Sequence, residues 1–241
     1  MDADAAFAGT GLHKSFGGRQ VLCGVDVSVR RGEIVGLLGP SGAGKSTVFG
    51  ILSGVERPDH GAVHLCGHDV TSLAIDGRAR LGVGYVPQAP ELFERLTVAA
   101  NLRVAVDARM GWSERTAGLL DRMITAFHLD EVHDRPFSHL SGGQRRLVEI
   151  AFAVCTLPKF LLLDEPFAGL DPIVVGRIVT HIRALARAGI GILVTDHKAR
   201  AILDLVERAV VIDAGTVIAD GSAAAVARVP RVREVFLGAD D

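Results

Sequence analysis

Residues 37–47, LLGPSGAGKST, carry the most specific chemistry in the chain. Gly39, Gly44, Lys45 and Ser46 fit the spacing G-x-x-x-x-G-K-[ST] of a phosphate-binding loop. Glycines let the backbone turn so that successive N–H groups point at phosphate oxygens, and a helix N-terminus behind them adds partial positive charge. Lys45 can reach β- and γ-phosphates, and the Ser46 hydroxyl can ligate Mg²⁺. Asp164 and Glu165 follow the apolar run 160–163 directly, so both carboxylates belong at the C-terminal end of a strand, where parallel α/β sheets place ligands. Asp164 suits a Mg²⁺ contact, direct or through water, and Glu165 suits polarisation of an attacking water. A second anion-binding helix start is Ser141-Gly142-Gly143-Gln144. If the two helix starts lie on opposite sides of the fold, one chain cannot bring both to one γ-phosphate. That points to a dimer in which each copy completes the other's site.

The elements that must hold these residues can be read from the same sequence. Residues 34–38 form an apolar run expected as a short buried strand, and 45–52 a helix. The first ~30 residues read as strands; within 20–29, Val21, Val25, Val27 and Val29 fall on one side, with Asp26 and Ser28 between them. Gly17-Gly18 and residues 58–61 are turn signals. Short strands are expected at 62–65 and 84–87. From 91 to about 155 the texture turns helical: Thr97 is an expected N-cap for 97–110, with Val98, Leu102, Ala105 and Val106 at helical spacing. Ser113-Glu114 opens a second helix carrying Leu119, Leu120, Met123, Ile124 and Phe127. The α/β pattern then returns. Residues 160–163 are uniformly apolar, as a strand buried on both faces requires. Asp171-Pro172 caps a helix to about 188. Residues 189–195 form another buried strand, 208–218 hold two more around Ala214-Gly215, and small helices follow.

Composition narrows the class. The chain has 241 residues, 49% of them hydrophobic and 22% charged, enough for a sizeable globular core. A net charge of −2 gives no bulk electrostatic case for nucleic acid or a lipid surface. Cys23, Cys66 and Cys155 are odd in number and scattered, which suits a reducing compartment, the cytosol. The first dozen residues have neither a basic nor a long apolar stretch, so no signal peptide is expected, and no window reaches about 18 uninterrupted apolar residues. Any membrane role must come through a partner. His64, Cys66 and His68 alternate and could face one side of a strand, but three ligands without a fourth nearby fit none of the zinc spacings, so an ordinary hairpin is expected.

With these motifs in order along nearly the whole chain, the sequence resembles the ATP-binding cassette family, the ATPase subunits of ABC transporters. GPSGAGKST, comprising Gly39, Pro40, Ser41, Gly42, Ala43, Gly44, Lys45, Ser46 and Thr47, looks like Walker A. Leu140 to Gln144, LSGGQ, matches the signature motif, and LLLDEP, with Glu165, looks like Walker B. The resemblance implies a Q-loop role for Gln88 in YVPQ, contacting Mg²⁺ and relaying to a membrane subunit. It also implies a D-loop at 168–171, a switch role for His197 in TDH, and adenine stacking for Phe16 in KSFGG, where Phe replaces the commoner Tyr and keeps the π face. The implied architecture is one ABC ATPase domain over 1–241. Its RecA-like P-loop α/β core comprises 1–88 and 156–241, with an N-terminal antiparallel β subdomain and an α-helical subdomain inserted at 89–155.

The implied cofactors are ATP and Mg²⁺. The implied partners are a second copy of the chain and integral membrane permease subunits docking near Gln88 to Leu96, where Leu92 and Phe93 follow the Q-loop. Nucleic acid is not expected as a partner: the soluble ABC proteins of DNA repair and translation carry coiled coils or tandem cassettes, and this chain has one cassette and no heptad run. Within the family, RARLGVGYVPQ, ELFERLTVAANL, SGGQRRLVEIA, DEPFAGLDPI and VTDHKAR resemble the ATPase subunits of lipopolysaccharide export transporters, Phe167 standing where many relatives carry Thr. ATPases of branched-chain amino acid importers are similar throughout and form the second reading. Either way the chain is expected on the cytoplasmic face of the inner membrane, held there by its partner.

Overall fold

The computed structural model describes residues 6–89, 91–110 and 114–237. Two sheets lie on either side of one helix. The first is antiparallel, in the order β2-β1-β4-β5: β1 (Ala6–Phe16), β2 (Arg19–Arg30), β4 (His60–Leu65) and β5 (His68–Asp69). Gly17 and Gly18, both at positive φ, make the two-residue turn between β1 and β2. The second sheet has the order β10-β9-β3-β8-β7-β6, with β3 (Ile34–Leu38), β6 (Val83–Val86), β7 (Phe160–Asp164), β8 (Gly191–Thr195), β9 (Arg208–Asp213) and β10 (Thr216–Ser222). Its strands run parallel except β10, which pairs antiparallel with β9. β3, β7 and β8 are buried at every position, which is why they read as unbroken apolar runs.

Helix α1 (Lys45–Ser53) fills the space between the sheets. Its Val48, Phe49, Ile51 and Leu52 share one core with Phe7, Val25, Val27 and Val29 of the first sheet and Val35, Leu37, Leu162 and Leu193 of the second. Phe7 and Phe160 touch across it, ring centroids 5.6 Å apart. α2 (Ile75–Leu81) precedes β6; its short, charge-rich sequence offers no apolar period, and it was not legible beforehand. α3 (Val98–Met110), α4 (Glu114–Ala126) and α5 (Gly142–Cys155) pack on one another beside β6. α6 (Pro172–Arg187) and α7 (Ala199–Leu205) alternate with β7, β8 and β9 on the outer face, and short helical turns from Ala223 onward end the described chain. A second core joins α3, α5 and α6 to the outer side of the parallel sheet through Leu102, Val148, Ile150, Leu161, Ile178 and Ile192.

Local signals decide where several elements begin. Thr97 Oγ1 accepts from Ala100 N at 3.1 Å and caps α3. Asp171 Oδ1 accepts from Ile173 N and Val174 N and caps α6, with Pro172 at its first position. Ser113, expected to open α4, and Pro90, within the expected docking segment, lie outside the described residues, as do residues 238–241.

One expectation in β2 is corrected. Leu22 is fully buried and Val21 only half-buried, so the alternation slips by one residue ahead of Val25. Leu12 pairs with Val25 but His13 with Cys23, leaving Gly24 (φ 89°) as an unpaired bulge residue that flips the faces. The hairpin from 60 to 69 also breaks the His64, Cys66, His68 alternation. Cys66 (φ 49°) and Gly67 (φ 79°) form the turn itself, and no metal-binding group of three His, Cys, Asp or Glu exists among the described residues.

Candidate functional site

The phosphate-type loop leaves the end of β3, and two close approaches force glycine there. A Cβ on Gly39 (φ 148°) would sit 2.1 Å from the Ile212 carbonyl oxygen, and one on Gly44 (φ 108°) 2.6 Å from Leu22 Cδ2. Ala43 braces the loop: its N–H donates to Pro40 O and its carbonyl accepts from Gly215 N in the β9–β10 turn. No side chain caps α1, so the amides of its first turn remain available to an anion. Ser41, Gly42 and Ser46 are exposed, whereas Lys45 is buried. Its Nζ donates to Gly39 O and Pro40 O, both at 2.8 Å. Burial lowers the Lys45 pKa, and Glu165 and Asp164 act against that shift from the neighbouring strand end.

β7 ends at Asp164, and Glu165 follows with φ 50°, a left-handed conformation that a non-glycine residue holds only under tertiary constraint. The Glu165 carboxylate is bracketed: Oε2 accepts from Gln88 Nε2 at 2.8 Å, and Oε1 lies 2.8 Å from His197 Nε2. Glu165 is 8% exposed and the His197 side chain 55%. Three residues from three separate loops therefore meet at one carboxylate. Burial, with the Glu165 charge adding to it, pushes the Asp164 carboxyl up to about 6. Asp164 Oδ1 is buried and has no hydrogen-bond partner. A buried oxygen of this kind beside a loop serine fits a small hard cation such as Mg²⁺, which takes oxygen donors and keeps its remaining positions for waters and substrate phosphates.

The helix start at Ser141 is closed by reciprocal bonds: Ser141 Oγ accepts from Gln144 N, and Gln144 Oε1 accepts from Ser141 N. Ser141 and Gly142 are exposed, and Gly143 is buried against Val174 of α6, whose Cγ1 a Cβ there would meet at 2.6 Å. The start of α5 thus rests on residues 170–174, while the loop at 39–47 is braced by β2 and the β9–β10 turn. Phe16 sits at the end of β1, 46% exposed, with Lys14 Nζ 5.2 Å from its ring centroid. Its hairpin also backs the loop, since Val21 O lies 3.2 Å from where a Gly44 Cβ would be. An exposed aromatic ring on that hairpin offers a face on which a nucleobase could stack.

Four positioning residues were not legible beforehand. Arg146, 8% exposed, donates to Pro87 O and Gln88 O, pairs with Glu149 Oε2 at 2.7 Å and reaches Glu165 O at 3.5 Å. It ties α5 to the Gln88 loop and to Glu165. Asp196, 2% exposed, accepts from Phe167 N and Lys198 N and so shapes the His197 loop. Lys198 Nζ donates to Leu170 O at 2.6 Å. Asn101, fully buried, donates to Phe93 O, Leu96 O and Thr97 O and accepts from Phe93 N. That frame holds 93–97 with Phe93 53% and Leu96 39% exposed. A polar residue inside an apolar helical pattern is the one sequence signal that could have marked Asn101.

A family model described as ABC transporter matches residues 22–168. A protein of Azorhizobium caulinodans described as a probable ABC transporter ATP-binding protein is 46% identical over 236 residues, 98% of this chain and 84% of that protein. The lipopolysaccharide export system ATP-binding protein LptB of Haemophilus influenzae is 43% identical over 228 residues, 94% of this chain and 95% of that protein. Among solved structures, the ADP conformation of MJ1267, an ATP-binding cassette of an ABC transporter, aligns with a TM-score of 0.86 at 28% identity, covering 97% of this chain and 99% of that one.

Proposed function

The chain belongs to the ATP-binding family of ABC transporters and is an ATP-hydrolysing transporter subunit; from that premise we propose that it powers lipopolysaccharide export as a homodimer closed around two Mg-ATP. The observation that carries the catalytic part is the Glu165 carboxylate held between Gln88 and His197, on the strand end beside the phosphate loop. In this reading the amides of 39–47 and Lys45 cradle the phosphates, and Phe16 stacks on adenine. Ser46, Asp164 and Gln88 would hold Mg²⁺, which when bound neutralises phosphate charge. Glu165 orients and deprotonates the attacking water. His197 holds that carboxylate in place and faces the γ-phosphate. Ser141 to Gln144 of the second copy cover the phosphates from the other side. Catalysis is then positioning and charge stabilisation, the terms that dominate phosphoryl transfer.

The core at 1–88 and 156–241 binds nucleotide in this proposal, and 89–155 forms the subdomain that swings the signature helix. Differential affinity for the ATP and ADP states would open and close the dimer and drive a permease docked near Gln88 to Leu96. No helix among the described residues is long and apolar enough to cross a membrane. The proposed place is therefore the cytoplasmic face of the inner membrane, through the permease. Likeness to LptB over nearly the full length supports the export cargo. Mass spectrometry of membrane proteins copurifying with the tagged chain tests it. Lipopolysaccharide-export permeases are expected. A pair of amino-acid permeases with a periplasmic binding protein would instead assign the chain to branched-chain amino acid import.

A further inference from the structure

The segment 165–170 is fastened to the His197 loop at three successive points. Glu165 N donates to Thr195 O at 2.9 Å, Phe167 N to Asp196 Oδ2 at 2.8 Å, and Lys198 Nζ to Leu170 O at 2.6 Å. The first two extend the pairing of β7 with β8, whose last register pair is Asp164 with Thr195. The third is a charge-assisted side-chain bond at the far end of the turn. Leu170 also points the other way: its Cδ2 lies 3.7 Å from where a Cβ on Gly142 would stand, at the first residue of α5. One residue is therefore gripped at its carbonyl by the histidine loop and lies with its side chain against the signature helix start.

We propose that Lys198 is a positioning residue that links His197 of one nucleotide site to Ser141–Gln144, which complete the other, and so couples the two sites of the dimer. The proposal rests on the dimeric reading above. The hydrogen bonds of Lys198 go to Asp196 and Leu170, so its removal is expected to free the 168–171 turn without altering the protomer's own ATP contacts. When Leu170 moves, the start of α5 loses its fixed relation to His197.

The test is ATPase rate against ATP concentration for the full chain, for Lys198→Met and for Lys198→Arg, which keeps a donor. The unsubstituted chain is expected to approach a Hill coefficient of about 2, the number of sites, and Lys198→Met to fall to about 1 with Lys198→Arg restoring it. ATP affinity without Mg²⁺ should change less than about twofold, because the coupling lies between sites rather than within one. A role confined to stability would lower the melting temperature and leave the Hill coefficient alone, which overturns the proposal. So would a loss of Mg²⁺-free ATP affinity in Lys198→Met. ATP-dependent dimerisation of Glu165→Gln, followed by light scattering, separates the two readings. If no dimer forms, the dimeric reading itself falls and the coupling with it. If the dimer forms while Lys198→Met stays cooperative, only the role of Lys198 falls.

Discussion

His197 Nε2 lies 2.8 Å from Glu165 Oε1, an exposed imidazole against a buried carboxylate. The contact makes Glu165 the shared partner of two loops, since Gln88 holds its other oxygen. Glu165→Gln preserves the shape and removes the proposed base. Single-turnover assays should give a hydrolysis rate lower by about 10²–10⁴-fold, the range of general-base catalysis, with ATP binding retained. Ordinary turnover in that variant would remove Glu165 from the mechanism.

Gly39 and Gly42 separate backbone necessity from loop chemistry. At Gly39 a Cβ collides with the Ile212 carbonyl, whereas at Gly42 (φ 79°) nothing stands within 4 Å. Gly39→Ala should cost about 3 kcal/mol or more through forced displacement of β9. Gly42→Ala should cost about 1 kcal/mol, the left-handed penalty alone, while still weakening nucleotide binding. Chemical denaturation and ATP titration of both variants measure the contrast; equal losses of stability would refute it.

Phe93 and Asn101 divide docking from folding. Phe93 projects from a segment that Asn101 pins from inside. Phe93→Ala should leave the melting temperature almost unchanged and reduce copurification with the permease. Asn101→Leu should cost roughly 2–3 kcal/mol by stranding buried backbone groups. If Phe93→Ala copurifies with the permease undiminished, the docking face lies elsewhere.

Arg146 and Glu149 form a buried ion pair at 2.7 Å. Burial pushes the Glu149 carboxyl up, and Arg146 works against that shift. Arg146→Met should therefore cost about 3–5 kcal/mol, since breaking a buried pair leaves one charge uncompensated. Adding Glu149→Leu should restore most of the stability but not turnover, because Pro87 O and Gln88 O still lack their donor. Full recovery of turnover in the double variant would confine Arg146 to stability.

His181 of α6 stacks on Phe127 at 4.8 Å and 15°, and burial, then the nearby His128, lowers its pKa. Asp130, Glu131 and Arg177 line the same cleft. A histidine lowered in the fold binds fewer protons there than in the unfolded chain, so stability rises with pH and is lost as pH falls below its ordinary value of about 6.5. Melting temperatures between about pH 5 and about pH 7.5 should decline on the acid side, and less so in His181→Gln. An identical slope in the variant would place the titration elsewhere.

The sequence alone determined what depends on neighbours in the chain. The glycine-lysine loop, the fully buried β3, β7 and β8, the Asp171-Pro172 start of α6 and the Ser141 cap are each set by local propensity, capping and burial pattern, and each is where the spacing placed it. Glu165 was legible from its place after an apolar strand, and Gln88 and His197 as separate motifs through the family resemblance. Their meeting at one carboxylate was not, because it depends on the order β8-β7-β6, and strand order is a long-range pairing that no local pattern encodes. The same limit hid the Gly24 bulge, whose effect on Leu22 and Val21 appears only against the register of β1. Arg146, Asp196 and Lys198 were invisible for a related reason. Their side chains satisfy backbone groups on other loops, and only the folded chain decides which carbonyls and amides are left without a partner of their own.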